Sequence, residues 1–265
     1  MQTKPEKTIY FNQEAFEKTN DTQIRWLGNA GALINSRGTT IMIDPILSGF
    51  DMPLLIDMPI KEEDVPHLDG MLITHCDNDH FCTECQMKLK GKVDSYHTTK
   101  YVASLFKERM DIDAGGYEIG ESFEINDVTV TLTPADHDWQ NYSEKHHTRE
   151  FEKRDYCGFY LETQDGTIWA VGDSRLLHIQ LLMKQPDVIL LDFSDSKWHI
   201  GFENAVTLCN TYPDSVIIPW HWGSVDAENW KEFNGDPWEL KKHINNPERL
   251  MILNPGEVYS LKKRT

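Results

Sequence analysis

The stretch Leu72-Ile73-Thr74-His75-Cys76-Asp77-Asn78-Asp79-His80 decides the fold. An apolar β-strand ends there in four side chains able to ligate a metal: His75, Asp77, Asp79 and His80. Alternate side chains of an extended chain share a face, so His75 and Asp77 point the same way. Asp79 and His80 follow in the turn, where the backbone swings them to a neighbouring point. One short loop can therefore feed two adjacent cation positions. A catalytic metal site draws ligands from several strand ends, and three more stand outward from this stretch. His137 follows an alternating strand at 128–132, in Thr133-Pro134-Ala135-Asp136-His137. Asp173 ends an apolar strand in Ala170-Val171-Gly172-Asp173, and His221 ends another in Ile218-Pro219-Trp220-His221.

The surrounding pattern predicts strands at 23–27, 31–35, 39–43, 70–74, 93–96, 156–161, 167–171, 188–192, 216–219 and 250–253. Gln164-Asp165-Gly166 marks a hairpin. Helices are expected at 81–89, 100–110, 176–184 and 202–211, with helical pieces over 226–245. Strands dominate the first half, and strand–helix alternation begins near residue 70 and returns after 173. That order predicts stacked sheets covered by helices, an α/β sandwich formed by one domain over residues 1–265. Residues 139–155 are polar, charged and aperiodic, and read as a long loop or lid.

Composition narrows the function classes. Lys and Arg total 26 against 43 Asp and Glu, a net charge of −17 over 265 residues, which makes nucleic-acid binding a poor expectation. No run approaches the roughly 18–20 apolar residues of a membrane span. The opening MQTKPEKTIYF lacks the apolar core of a secretory signal, and the five cysteines are sparse and odd in number. A reducing cytoplasm is the expected location. Cys82-Thr-Glu-Cys85 lacks the second pair that four-sulfur zinc ligation needs, so it reads as two partly buried thiols on a helix.

The ordered set Thr74–His80, His137, Gly172-Asp173 and His221 resembles the metallo-β-lactamase superfamily, whose signature is T-H-x-H-x-D-H, then His, Gly-Asp and a late His. The resemblance runs from about 23 to 255. Trp26-Leu27-Gly28-Asn29-Ala30-Gly31 and Ile43-Asp44-Pro45 resemble the branch of ascorbate-6-phosphate lactonases. It implies a four-layer αββα sandwich and two divalent ions, Zn²⁺ or Mn²⁺ with Fe²⁺ tolerated. By position, His75, Asp77 and His137 would hold one ion, Asp79, His80 and His221 the other, and Asp173 would bridge. The departure is Asp77, where the family usually has histidine. With three aspartates and one hydroxide the two ions are neutralised, which hardens the site and weakens its pull on anions.

The implied activity is hydrolysis of a small-molecule, ester-like substrate by water whose pKa the ions lower from about 15.7 towards 7. A lactone is expected ahead of a phosphodiester; a phosphodiesterase or phospholipase-type enzyme and a metal-binding sensor without turnover are the alternatives. Asp79 would also orient the nucleophile, and His199, after the strand at 188–192, would donate to a developing oxyanion. Asp136 is a candidate partner for a ligand, or a loop carboxylate. Trp139, Trp220 and Trp222 flank ligands and would wall a pocket or pack the core. His146-His147 read as solvated, and His67, His97, His178 and His243 as structural. Oligomeric state is open: a homo-oligomer is possible.

Overall fold

The structure is a computed structural model and describes residues 2–146 and 149–262, so His147 lies outside the described residues. Two mixed sheets form it. One has seven strands: β1 (Thr22–Gly28), β2 (Gly31–Ser36), β3 (Thr39–Ile43), β4 (Gly70–Ile73), β5 (Tyr96–Thr99) and β6 (Gly115–Tyr117) lie in that order, and the last strand of the chain pairs with the free side of β1. The other has six: β7 (Ser122–Ile125), β8 (Val128–Pro134), β9 (Cys157–Thr163), β10 (Gly166–Ala170), β11 (Val188–Leu191) and β12 (Val216–Pro219). The closing strand is β13 (Val258–Leu261). Pairing is antiparallel through β1–β3 and β7–β10, and parallel through β3–β6 and β10–β12.

The period-2 alternation of the first strands assigns their two faces. Ile24, Trp26, Ile41, Ile43 and Leu72 enter a core shared with Val130, Phe159, Ile168 and Leu190 of the second sheet. Leu27, Leu33, Met42, Met71 and Ile73 face the other way, onto α1 (Thr83–Leu89) and α2 (Lys100–Met110). Helices α3 (Phe202–Thr211) and α4 (Pro237–His243) bury Leu208 and Leu240 against the second sheet. Helix, sheet, sheet and helix layers follow, as the sequence predicts. Helix α2 starts where Thr99 Oγ1 accepts from Val102 N–H and stops at Asp111, in the left-handed region at φ +49°.

Several boundaries differ from expectation. Residues 250–253 form no strand; Leu250 makes one isolated bridge to Ile217, and Val258–Leu261 occupies the sheet edge instead. The strand expected at 93–96 runs over Tyr96–Thr99, with Val93 only bridging Leu68. The helix expected at 176–184 shrinks to a 3-10 turn, His178–Leu181, and 226–245 yields a 3-10 turn at Lys231–Phe233 before α4. The 139–155 segment is not featureless: it carries 3-10 turns at Asp138–Tyr142, Glu144–His146 and Lys153–Asp155. Cys82 and Cys85 are buried free thiols.

Candidate metal centre

Parallel strands emit their side chains at their carboxyl ends, and open α/β sheets place sites there. Here β3, β4, β8, β10, β11 and β12 all end on one rim. Asp44, just past β3 and fully buried, accepts from both the Thr74 N–H (2.8 Å) and the Thr74 hydroxyl. That hydroxyl has its single proton on Asp44, so His75 Nδ1, 3.0 Å from Thr74 Oγ1, is the donor of that pair. His80 Nδ1 lies 2.8 Å from Asp44 Oδ2. His137 Nδ1 lies 3.0 Å from the Trp198 carbonyl, which can only accept. With Nδ1 proton-bearing in this way, all three histidines turn Nε2 to the inner side, the nitrogen that a metal ion would take.

The inner nitrogens converge on carboxylates. His75 Nε2 and His137 Nε2 are 3.2 and 3.4 Å from Asp77 Oδ2. His80 Nε2 and His221 Nε2 are 3.1 and 3.3 Å from Asp173 Oδ2, and His221 Nε2 is 3.2 Å from Asp79 Oδ2. One donor group at the rim is Asp192, His199 and His221, and two more adjoin it: Asp79, His80, Asp173 and His221, and His75, His137 and Asp173, with ligand atoms of each group within 4.8 Å of one another. Asp173 belongs to both of the latter. Its Oδ1 is buried and accepts no hydrogen bond from any described residue, a lone pair that a cation would satisfy. Histidine nitrogen and carboxylate oxygen in this mixture suit borderline divalent ions, so the residues fit the group the resemblance implies.

Charges within the rim balance one another. Burial opposes ionisation of Asp77, Asp79 and Asp173, yet the facing histidines overcome it and hold Asp77 and Asp173 well below the usual carboxylate range and Asp79 below it. Burial likewise disfavours the imidazolium of His80, but Asp173, Asp79 and Asp44 drive its pKa well above the ordinary value. His221 rises to about 9 against burial because of Asp173 and Asp79, and His137 rises through Asp77 and Asp173. His75 goes the other way, lowered by burial and by neighbouring His80. Without cations, the site keeps its carboxylates charged by protonating histidines.

Local backbone is shaped for this convergence. Gly172 sits at φ +73°, and a Cβ there would lie 2.5 Å from the Cys157 carbonyl oxygen, so only glycine turns β10 sharply enough to aim Asp173 inward. His221 itself is left-handed, at φ +58°, and its N–H donates to Asn29 O at 2.7 Å. Asn29 in turn donates through Nδ2 to the Asp79 carbonyl at 2.9 Å, so the β1–β2 turn braces two site residues.

Every residue expected at the site reaches it: His75, Asp77, Asp79, His80, His137, Asp173, His199 and His221 share one rim. Asp77 lies against His75 and His137 and also accepts from Trp139 Nε1 and Gln140 Nε2, while the donor group around those two histidines is completed by Asp173. Two donors leave further lone pairs on a carboxylate. His199 gives Nδ1 to Asp192 and lines the cavity above the cluster. Asp136 holds none of the histidines; its carboxylate faces Lys153 at 3.1 Å and Arg175 at 3.8 Å. Trp220 and Trp222 are core residues, Trp222 stacking on Trp26 at 5.4 Å, whereas Trp139 does wall the cavity. His146 is not simply solvated: its ring meets Trp139 edge-on at 5.2 Å.

Sequence reasoning missed Asp44, Asp192 and Gln140, which orient His80, His199 and Asp77. The position of Asp44 and Asp192 just past apolar strands was the available signal, the same one that singled out Asp173. The cluster opens on a cavity of about 240 Å³ whose outer wall is Trp139, Trp198, Trp230, Glu232 and Phe233. Among the described residues no Lys or Arg lines it. Arg175 is tied to Asp138, and the Lys197 ammonium rests 4.7 and 4.3 Å from the Tyr142 and Trp198 ring centroids.

Comparison with known proteins places this geometry in context. The family model described as a beta-lactamase superfamily domain matches residues 39–222. A UPF0173 metal-dependent hydrolase of Pyrococcus abyssi is 25% identical over 246 residues, covering 90% of this chain and 99% of its own length. Igni18, a metallo hydrolase from Ignicoccus hospitalis, superposes with a TM-score of 0.72 at 17% identity, over 92% of this chain and 100% of that one. A possible metal-dependent hydrolase from Veillonella parvula gives 0.74 at 22% identity, over 91% and 100%. With the family model spanning well over half of its length, the chain belongs to the metallo-β-lactamase superfamily.

Proposed function

We propose that this protein is a metal-dependent hydrolase of a small, ester-like molecule, lactone ahead of phosphodiester, with the whole site carried by one domain. The observation that carries the reading is the pair of adjoining donor groups that share Asp173 and open on the 240 Å³ cavity. Relatives spanning nearly their full length with this chain bear the description metal-dependent hydrolase. His75, Asp77 and His137 would hold one divalent ion, and Asp79, His80 and His221 the other, with Asp173 between them. Bound there, Zn²⁺ or Mn²⁺ would supply Lewis acidity and a water ionised near neutral pH.

The chain's own residues supply the rest. Asp79 is the least buried carboxylate of the rim and lines the cavity, where it can accept a hydrogen bond from the attacking water and orient it. His199, fixed at Nδ1 by Asp192, turns its other ring nitrogen towards the cavity, where the imidazolium form would donate to the oxygen that gains charge. Trp139, Trp198 and Phe233 exclude water around the reacting group. Preference for an uncharged reacting group follows from the cavity wall: a phosphodiester gains from flanking cations, and none lines this one. No helix among the described residues is long and apolar enough to cross a membrane, and a small cytoplasmic metabolite is the substrate we favour.

The test is elemental analysis of protein purified without added metal, followed by a lactone, ester and phosphodiester panel on the same sample. About two metals per chain with lactone cleavage is the expected result. Turnover of bis(p-nitrophenyl) phosphate alone would move the assignment to phosphodiesters, and bound metal with no turnover would make the protein a metal-binding sensor.

A further inference from the structure

The cavity wall is unusual in a second respect. Four aromatic side chains from three different strand-end loops line it: Trp139 after β8, Trp198 after β11, and Trp230 and Phe233 after β12; Phe233 is buried and stacked on His221 at 5.6 Å, so the three indoles are the rings left to meet a ligand. Trp230 is 55% exposed, an expensive place for an indole unless something covers it, and it stacks beside Phe233 at 6.3 Å. Between these two in sequence, Glu232 turns into the same cavity, and its carboxylate makes no hydrogen bond or ion pair among the described residues. The neighbouring Lys231 is occupied elsewhere, 3.7 Å from Asp195. Lys197, the cation associated with Trp198, lies over the Trp198 and Tyr142 rings and does not line the cavity. At about 240 Å³ the chamber is below the roughly 300–1,000 Å³ of drug-sized sites, so it suits one small group.

Aromatic faces carry negative potential and attract organic cations, most strongly when water is excluded. A free carboxylate at the edge of such a set of rings supplies the counter-charge. We infer that this cavity accepts an alkylammonium group, protonated or quaternary, with Trp139, Trp198 and Trp230 around it and Glu232 as its anion. Resting on the hydrolase reading, the inference makes the substrate an ester or lactone that carries a positive charge remote from the carbonyl.

Binding and turnover separate the two readings. Choline and its uncharged isostere 3,3-dimethylbutanol are titrated against the metal-loaded protein by tryptophan fluorescence. Acetylcholine and 3,3-dimethylbutyl acetate are then compared as substrates by kcat/KM. The cationic member of each pair is expected to be favoured about tenfold, and Glu232→Gln and Trp230→Leu should each cut that ratio severalfold with metal content unchanged. Choline bound preferentially without cleavage of either ester upholds the cation site and counts against the hydrolase reading. Equal cleavage of both esters, or a preference that survives Glu232→Gln and Trp230→Leu, overturns the cation site and leaves hydrolysis standing. Neither binding nor cleavage overturns both.

Discussion

At the scale of single residues, the centre works by protonating one side of each histidine so that the other is free. Asp44, Thr74 and the Trp198 carbonyl do this for His80, His75 and His137. Asp173 has the opposite task, offering lone pairs to both donor groups. Asp173→Ala, like His80→Ala, should therefore lower bound metal by at least one ion per chain and activity by more than about 100-fold, beyond the 10–100-fold typical of residues that only orient ligands. Mass spectrometry of metal content beside kinetics checks this; full activity in either variant would be fatal to the assignment. Asp77 makes a finer prediction. Replacing this carboxylate by imidazole softens the donor set, so Asp77→His should shift metal preference towards Zn²⁺ over Mn²⁺, read by competition between the two ions. An unchanged preference would remove Asp77 from the ligand set and leave it as the hydrogen-bond partner of Trp139 and Gln140. Residues of this kind differ in legibility. The histidines and Asp173 stand in a recognisable order at strand ends. Asp44 and Asp192 look like any carboxylate after a strand, because their role exists only once His80 and His199 fold onto them.

At the scale of elements, the legible parts were those with a period. Lys100–Met110 has apolar residues at helical spacing and begins and ends where predicted, and Thr39–Ile43 does the same as a strand. The segments β6 and β7 were not foreseen: Gly115-Gly116-Tyr117 has too few side chains to show alternation, and Ser122–Ile125 buries only Ile125. The apolar run at 250–253 misled because Leu250 and Leu253 are buried by packing, without a ladder. Beside β6 and β7, His97 on β5 stacks on Phe123 at 4.1 Å and on Tyr117 at 5.8 Å, and burial pushes its pKa down from 6.5 to about 4. A histidine depressed in the fold binds fewer protons than in the unfolded chain, so stability is intact above about pH 6.5 and drains as pH falls towards 4. Between pH 7 and 5 this amounts to at most about 2 kcal/mol. Urea unfolding at those two pH values should show His97→Phe losing less stability than the parent by up to that amount. Equal losses would mean that His97 is hydrated in solution.

At the scale of the whole molecule, metal and fold are separable but linked. The two large cores, one between the sheets and one under α1 and α2, are closed by apolar side chains without help from the rim. At the rim both sheets contribute candidate ligands: β4 brings His75 to His80, and β8, β10 and β12 bring His137, Asp173 and His221. Divalent ions held there would cross-link the sheets. Taking them away leaves Asp77, Asp79 and Asp173 balanced only by histidines that gain protons, which keeps the chain folded but removes the cross-link. A ligand that binds only the folded state at about 1,000 times its Kd stabilises by about 4 kcal/mol. For a chain of this size each kcal/mol moves Tm by roughly 2–4 °C. Chelation should accordingly lower Tm by about 10 °C while far-ultraviolet circular dichroism stays native, and adding Zn²⁺ or Mn²⁺ back should restore it. Loss of all secondary structure on chelation would show that the cores do not stand alone. An unchanged Tm, with metal removal verified on the same sample, would mean that no ion ties the sheets together.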